Sequence, residues 1–234
     1  RDLGGEPVGH AELGTDGGEV GGQVRRQVMA GAGHRRRCYR RPRRRSSAPS
    51  VRWLRVCSDG GVHDDGAASG RPVRVATFNI RHGAPADRRT DLVGLRRAAR
   101  RLAVDLVALQ EVDRRVGRSW FVDEATWVAR AMGLHARFAP ARPLGVTGSY
   151  GVALLTRTPA TAVEVVRLPA FGSEPRVALV ASVELGGRPV SVAATHLQNR
   201  RWIAERQLPV VLAALGRRPG PHLLLGDLNA GPDV

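Results

Sequence analysis

The stretch LLLGDLN, residues 223–229, joins a short apolar run to an acid and an amide. An apolar run that ends at a glycine is typical of a buried β-strand. Alternate side chains of a strand lie on one face, so Asp227 and Asn229 would address one ligand if the strand geometry continues through Leu228. An Asx turn, in which the side chain only bonds nearby backbone, is the simpler interpretation of the same residues.

Three other apolar runs end in polar residues of the same kind. They are TFNI with Asn79, LVALQE with Glu111 and VSVAATHL with His196. Each residue alone has a simpler role, since Asn79 can bond backbone at a strand end, Glu111 can be a surface or helix-dipole acid, and His196 can be a satisfied core histidine. Only the joint occurrence of all the runs favours a functional site.

These residue types have a chemical reason to meet. Mg²⁺ prefers oxygen ligands and keeps several waters, so one or two carboxylates suffice to bind it, and we expect Glu111 to be the first ligand. A carboxylate such as Asp227 can orient or deprotonate a water molecule. The amide of Asn229 and the imidazole of His196 can donate hydrogen bonds to a phosphoryl group that gains charge.

The pattern along the rest of the chain favours a mixed α/β sandwich. Two β-branched runs, VALVASVEL and PVSVAATHL, flank the turn GGR and so predict an antiparallel hairpin. Such pairing fits two mixed sheets flanked by helices better than a doubly wound parallel sheet. Pro209 is expected to kink or split the last helix. The predicted strands are residues 73–80, 105–111, 150–156, 161–167, 177–185, 189–195 and 222–226, and the predicted helices are residues 91–104, 121–132 and 200–215.

Residues 1–72 differ from this pattern. They contain glycine clusters and the run RRRCYRRPRRR, residues 35–45, without a sustained hydrophobic period of 2 or 3.6. This composition favours a disordered or mis-framed segment, with a basic arm that binds nucleic acid as the alternative. The sequence therefore predicts one folded domain over residues 73–234.

The composition is strongly basic. The formal net charge is +16, and all 37 basic residues are arginine. A basic excess favours an anionic partner such as nucleic acid or a membrane surface. GC-rich coding also produces arginine in place of lysine, so the charge indicates an anionic partner only if the arginines gather around a site.

Other sequence signals are neutral. Cys38 and Cys57 are the only cysteines and lack metal-ligand spacing. No apolar stretch is long enough to span a bilayer, and no signal peptide is recognisable. The default expectation is a cytoplasmic protein without a transmembrane segment and without an obligate protein partner.

Six motifs in order carry a resemblance to a known family. TFNIRHG, LVALQEVD, SYGVALLTRTP, SEPRVAL, VAATHLQ and LLLGDLNAGPD resemble the endonuclease/exonuclease/phosphatase superfamily over residues 73–234. The resemblance implies the deoxyribonuclease I-like fold, a four-layered α/β sandwich. It also implies hydrolysis of phosphodiester or phosphomonoester bonds that depends on Mg²⁺ or Mn²⁺. The substrate would be nucleic acid, a phospholipid headgroup or a small phosphorylated metabolite.

The resemblance assigns roles residue by residue. Asn79 and Glu111 match the amide and the acid of the family's metal site. Asp227 matches the acid that handles the attacking water. Asn229 and His196 match groups that hold the phosphate.

Two further residues match the family less closely. Tyr150 corresponds to a tyrosine that nucleases of the family often place near this motif. Many bacterial relatives carry asparagine after Tyr-Gly, where this chain has Val152, so a polar substrate contact is missing. Arg176 resembles a recurring family arginine, and a structural ion pair with Glu174 or another acid is its alternative role.

The end of the chain departs from the family pattern. The family continues with an Asp-His strand and a Ser-Asp-His motif, which do not occur in these 234 residues. We therefore expect the sequence to be C-terminally incomplete and its activity to be impaired, since a positioned acid-base group contributes ~10² to 10⁴ in rate. The alternative function is a non-catalytic anion-binding or remnant protein of the same fold.

Overall fold

Two β-sheets with helices outside them make up the part of the chain that the structure, a computed structural model, describes: residues 50–56, 73–84 and 89–229. The first sheet has the strand order β1-β2-β3-β5-β4, and the second has the order β6-β7-β8-β9. The strands are β1 (Ser50–Val56), β2 (Val73–Asn79), β3 (Leu106–Arg114), β4 (His135–Leu144), β5 (Gly148–Thr156), β6 (Thr161–Leu168), β7 (Arg176–Leu185), β8 (Arg188–His196) and β9 (His222–Asp227). The helices are α1 (Leu92–Leu102), α2 (Glu124–Met132) and α3 (Arg201–Gly216), with short 3₁₀ turns at Arg81–Gly83 and Gly117–Ser119.

Apolar side chains pack between four layers of secondary structure. The central core lies between the two sheets and includes the fully buried Leu106, Leu179 and Val192. A second core packs α1 and α2 on the first sheet, and a third packs α3 on the second sheet. Both sheets are mixed, because β2–β3 and β8–β9 are parallel and the other described pairs are antiparallel. The predicted four-layered α/β sandwich is confirmed.

The hairpin between β7 and β8 confirms the pairing predicted from the sequence. Its turn is Gly186–Gly187, with φ values of 58° and 76°. Two successive residues with positive φ give a turn whose twist matches that of the strands, which is why glycine is favoured at both positions.

Three prolines bear on the differences from the predicted elements. Strand β4 was not predicted, because Pro140 and Pro143 interrupt its alternating pattern. It forms because it lies at the edge of the first sheet, where proline is tolerated. Pro209 does not split α3, which runs unbroken from Arg201 to Gly216. Ile203, Leu208, Val211 and Leu215 of this helix are buried, and this packing outweighs the local cost of the proline.

One strand lies within the segment predicted to be disordered or mis-framed. Strand β1, Ser50–Val56, pairs antiparallel with β2 at the edge of the first sheet. The rest of residues 1–72, including the arginine run and both cysteines, lies outside the described residues, so the division at residue 72 stays a prediction. No helix of the described part is long and apolar enough to cross a membrane.

Candidate functional site

Side chains from both sheets meet at one end of the sandwich. Nδ2 of Asn79, the last residue of β2, lies 2.8 Å from Oε1 of Glu111 on β3 and 3.4 Å from Oδ2 of Asp227 at the end of β9. His196 ends β8 and pairs with Asp227 in the parallel β8–β9 register, with Nε2 4.0 Å from Oδ2 of Asp227. The structure therefore brings together four residues that the sequence predicted as one site.

Gly226 permits the strand pairing that places Asp227. It pairs with Thr195 across β8 and β9, and a Cβ at position 226 would collide with the backbone carbonyl oxygen of Thr195. A glycine marks a close approach of two backbones, and here it comes immediately before the acid. The pairing brings Asp227 level with His196.

An irregularity in β3 presents Glu111 to the site. The pairing of β3 with β5 shifts register between Leu109 and Val112, and Glu111 has a φ of 57°, which is uncommon for a residue other than glycine. The sequence predicted that the strand ends at Glu111, but β3 continues to Arg114 because the bulge absorbs the extra residue. Strained backbone of this kind clusters at functional sites.

The two carboxylates of the site suit a divalent cation. Oε1 of Glu111 and Oδ2 of Asp227 both contact Nδ2 of Asn79, at 2.8 and 3.4 Å. Because they share this neighbour, the two carboxylates lie close to each other. One or two carboxylates with waters are enough for Mg²⁺. No group of three or more His, Cys, Asp or Glu side chains in the described part is placed to hold a metal ion. Water and substrate oxygens would therefore have to complete the shell.

The amide of Asn79 is turned so that its nitrogen faces the acids. Its Oδ1 accepts a hydrogen bond from the backbone N–H of Arg81 at 3.1 Å. In this orientation Asn79 orients the carboxylates of Glu111 and Asp227, and ligation of a metal by its oxygen stays a prediction.

The surroundings of His196 favour the neutral imidazole with its proton on Nε2. Nη1 of Arg176 lies 3.2 Å from Nδ1 of His196, and because a guanidinium can only donate, Nδ1 must accept. Burial, and then the charge of Arg176, lowers the pKa of His196 below its usual value. The Nε2–H group therefore remains available on the side of Asp227.

Arg176 is a buried cation with an unused donor. Its Nη2 lies 3.3 Å from Oε2 of Glu174, so the ion pair that the sequence left open does form. The Nε–H group is buried without a hydrogen-bond partner among the described residues. A buried donor left unpaired costs roughly 1–3 kcal/mol, so this group suits an anionic ligand that accepts from it.

Three arginines gather around Tyr150. The guanidinium carbons of Arg118 and Arg142 lie 5.8 and 5.3 Å from the centroid of the Tyr150 ring. Burial, and then the charge of Glu111, raises the pKa of Tyr150 above its usual value, while Arg176 lowers it. The hydroxyl therefore keeps its proton. The clustering meets the condition under which the basic composition indicates an anionic ligand.

Asn229 does not share a strand face with Asp227. Strand β9 ends at Asp227, and Asn229 adopts a φ of 49°, so the extended geometry stops at Leu228. The Nδ2 group of Asn229 donates to the carbonyl oxygen of Leu197 at 2.8 Å. This bond ties the chain after Asp227 to the end of β8, and a phosphate contact by the exposed Asn229 stays a prediction.

The sequence did not reveal a buried polar network below Tyr150. Asp113 is fully buried and accepts hydrogen bonds from Nε and Nη2 of Arg118 at 2.7 and 2.9 Å, which holds Arg118 against the Tyr150 ring. The backbone N–H of Asp113 donates to Oε2 of Glu124 at 2.7 Å. Asp113 follows Glu111 at i+2 in LQEVD and could have been found from that spacing. Arg118 and Glu124 have no sequence signal.

Glu124 should make the stability of the domain depend on pH. Burial raises the pKa of Glu124 from 4.5 to about 8. Between these values the unfolded chain has lost the proton and the folded protein has kept it, so stability falls as the pH rises through this window and then levels off. Glu124→Gln cannot titrate at this position. As the pH rises, the free energy of unfolding of the variant minus that of the wild type should therefore increase by on the order of a few kcal/mol. Urea unfolding of both proteins at pH 5 and pH 8 measures this difference. A difference between variant and wild type that is the same at both pH values would count against the prediction.

Comparisons with known proteins agree with this arrangement. The sequence profile of the Endonuclease/Exonuclease/phosphatase family matches residues 76–233. An endonuclease/exonuclease/phosphatase from Beutenbergia cavernae DSM 12333 shares 27% identity over 67% of this chain and 47% of its own, with a TM-score of 0.58. No curated protein matches the chain.

Two further structures are similar in fold. The human Nocturnin catalytic domain shares 24% identity over 68% of this chain and 65% of its own, with a TM-score of 0.53. TDP2 from Caenorhabditis elegans shares 20% identity over 74% of this chain and 52% of its own, with a TM-score of 0.54. The chain spans less than two thirds of the length of each of these three proteins.

Proposed function

The chain belongs to the endonuclease/exonuclease/phosphatase family, and from that premise we propose that it hydrolyses phosphate esters with a divalent cation, Mg²⁺ or Mn²⁺. The observation that carries the proposal is the convergence of Asn79, Glu111, Asp227 and His196 from four strands of both sheets. A purely structural role would not explain why two acids, one of them on strained backbone, point at the same amide nitrogen.

Asp227 is the residue that handles the attacking water. Its side chain is 26% exposed, so water reaches the carboxylate, while Nδ2 of Asn79 and the backbone N–H of Asn229 each donate to one of its oxygens at 3.4 Å. A carboxylate held in this way orients a water molecule or takes a proton from it.

Three donors, on His196, Tyr150 and Arg176, receive the phosphoryl group. His196 offers Nε2–H, Tyr150 offers its hydroxyl, and Arg176 offers the buried Nε–H together with its charge. Donors that are fixed before the reaction stabilise the charge that the phosphoryl oxygens gain in the transition state, because they need no reorganisation. Asn229 is the further phosphate contact that the family resemblance suggests.

Glu111 is the principal residue that would hold the cation, with Asp227 beside it. A bound Mg²⁺ or Mn²⁺ supplies neutralisation of phosphate charge and polarisation of the P–O bond. Asn79 keeps the two carboxylates aligned through the contacts of its amide nitrogen.

Hydrolysis of generic esters tests the proposal. The chain is incubated with bis-(p-nitrophenyl) phosphate or p-nitrophenyl phosphate, with Mg²⁺, Mn²⁺ or EDTA, and p-nitrophenol release is followed. We expect release from at least one ester with a metal and none with EDTA. A protein that binds inorganic phosphate but hydrolyses neither ester with either metal would contradict the proposal and favour the anion-binding alternative.

A further inference from the structure

Two exposed aromatic rings and an arginine form a surface between the loop before β7 and the start of α3. Phe171, in the loop between β6 and β7, is 52% exposed, and Trp202, in the first turn of α3, is 45% exposed. Their ring centroids lie 5.4 Å apart with the planes tilted by 53°. The guanidinium carbon of Arg206 lies 6.0 Å from the Phe171 centroid and 5.4 Å from the Trp202 centroid. We call these three residues the aromatic platform.

Hydrogen bonds from two glutamines hold both ends of the loop that carries Phe171. Gln207 of α3 donates from Nε2 to the carbonyl oxygen of Pro169 at 2.8 Å, and Gln198 donates from Nε2 to the carbonyl oxygen of Glu174 at 2.5 Å. Phe171 has a φ of 48°, which is strained for a bulky residue. A large apolar ring held half exposed on strained backbone, in a loop already anchored at both ends, indicates a use beyond packing.

The loop and helix that carry the platform are linked to the proposed phosphate donors. Glu174 lies in the same loop as Phe171 and pairs with Arg176. Gln198, which anchors that loop, follows His196 by two residues. The elements that place the phosphate donors therefore also place the platform, at the side of the site nearer β6 than β9.

We infer that the aromatic platform is a subsite for an unpaired nucleobase of the substrate, which makes the substrate a single-stranded nucleic acid. The inference rests on the proposed function, because the phosphate site supplies the second point of contact. Bases stack on exposed aromatic rings and on arginine, and the arginine also attracts the neighbouring phosphates. A sugar phosphate or a lipid headgroup without a planar ring would leave both aromatic faces unused.

Binding of a short fluorescein-labelled oligo(dT) to the full chain, in EDTA and at fixed salt, tests this subsite by anisotropy. Trp202→Ala and Phe171→Ala should each weaken binding about 10-fold, as expected for loss of one stacked base. Trp202→Phe keeps a ring and should retain most of the affinity. Leu212→Ala is the matched control, because Leu212 lies further along α3 and is 46% exposed. Competition by inorganic phosphate should be unchanged in all four variants.

The outcomes separate this inference from the proposed function. Equal affinity of Trp202→Ala, Phe171→Ala and Leu212→Ala for oligo(dT) would overturn the platform, even if the wild type hydrolyses phosphate esters. If Trp202→Ala and Phe171→Ala bind phosphatidylserine vesicles more weakly than the wild type but bind oligo(dT) equally well, the platform would instead be a lipid-binding surface and the inference would be overturned. The expected losses in a chain that hydrolyses no ester would support the platform while the proposed function fails. Should Trp202→Ala not fold, Phe171→Ala and Arg206→Gln decide the question by the same criterion.

Discussion

Replacement of Asp227 by asparagine should lower the turnover of a phosphodiester by ~10²- to 10⁴-fold, the range for loss of a positioned acid-base group. The change keeps the size of the side chain and removes its ability to take a proton from water. Substrate binding should change much less, since His196, Tyr150 and Arg176 are expected to hold the phosphate. Steady-state kinetics with bis-(p-nitrophenyl) phosphate should therefore show the loss in kcat and not in KM.

Glu164→Gln is the matched control for Asp227→Asn. Glu164 is an acid on β6 that pairs with Arg217 and Arg218 at the end of α3, and its side chain is 39% exposed. Exposed ion pairs contribute little, so the same acid-to-amide change there should leave kcat unaltered. Similar losses in the two variants would show that Asp227 has no special part in the reaction.

Replacement of Glu111 by glutamine should weaken Mg²⁺ binding by at least ~10-fold, because even outer-shell partners of a metal cost that much when removed. The amide oxygen of glutamine can still accept from Nδ2 of Asn79, so the local structure should persist. Isothermal titration of the chain with MgCl₂ measures the change without relying on activity. Equal Mg²⁺ affinity in the variant and the wild type would remove Glu111 from the metal site.

The sequence predicts well those parts of the fold and site that depend on strand periodicity. Asn79, His196 and Asp227 each lie at the end of an apolar run, and strand ends on one side of a layered α/β sandwich converge. The GGR turn likewise predicts the β7–β8 hairpin from local chemistry alone.

The sequence predicts poorly the features that tertiary contacts decide. The bulge at Glu111 and the early end of the strand geometry before Asn229 depend on neighbouring strands. The contact between Arg176 and Nδ1 of His196, which fixes the imidazole tautomer, joins two strands with no pattern in common. Strand β4 is permitted by its edge position, which no local pattern reveals.

The central claim is that Glu111 and Asp227 act within one site, and a double-mutant cycle tests it most directly. The measurement is kcat/KM for bis-(p-nitrophenyl) phosphate, with Mg²⁺, in the wild type, Glu111→Gln, Asp227→Asn and the double variant. Residues that act as a unit give non-additive losses. We expect kcat/KM of the double variant to be no more than about 10-fold lower than that of the less active single variant. Losses that multiply in the double variant would contradict the claim.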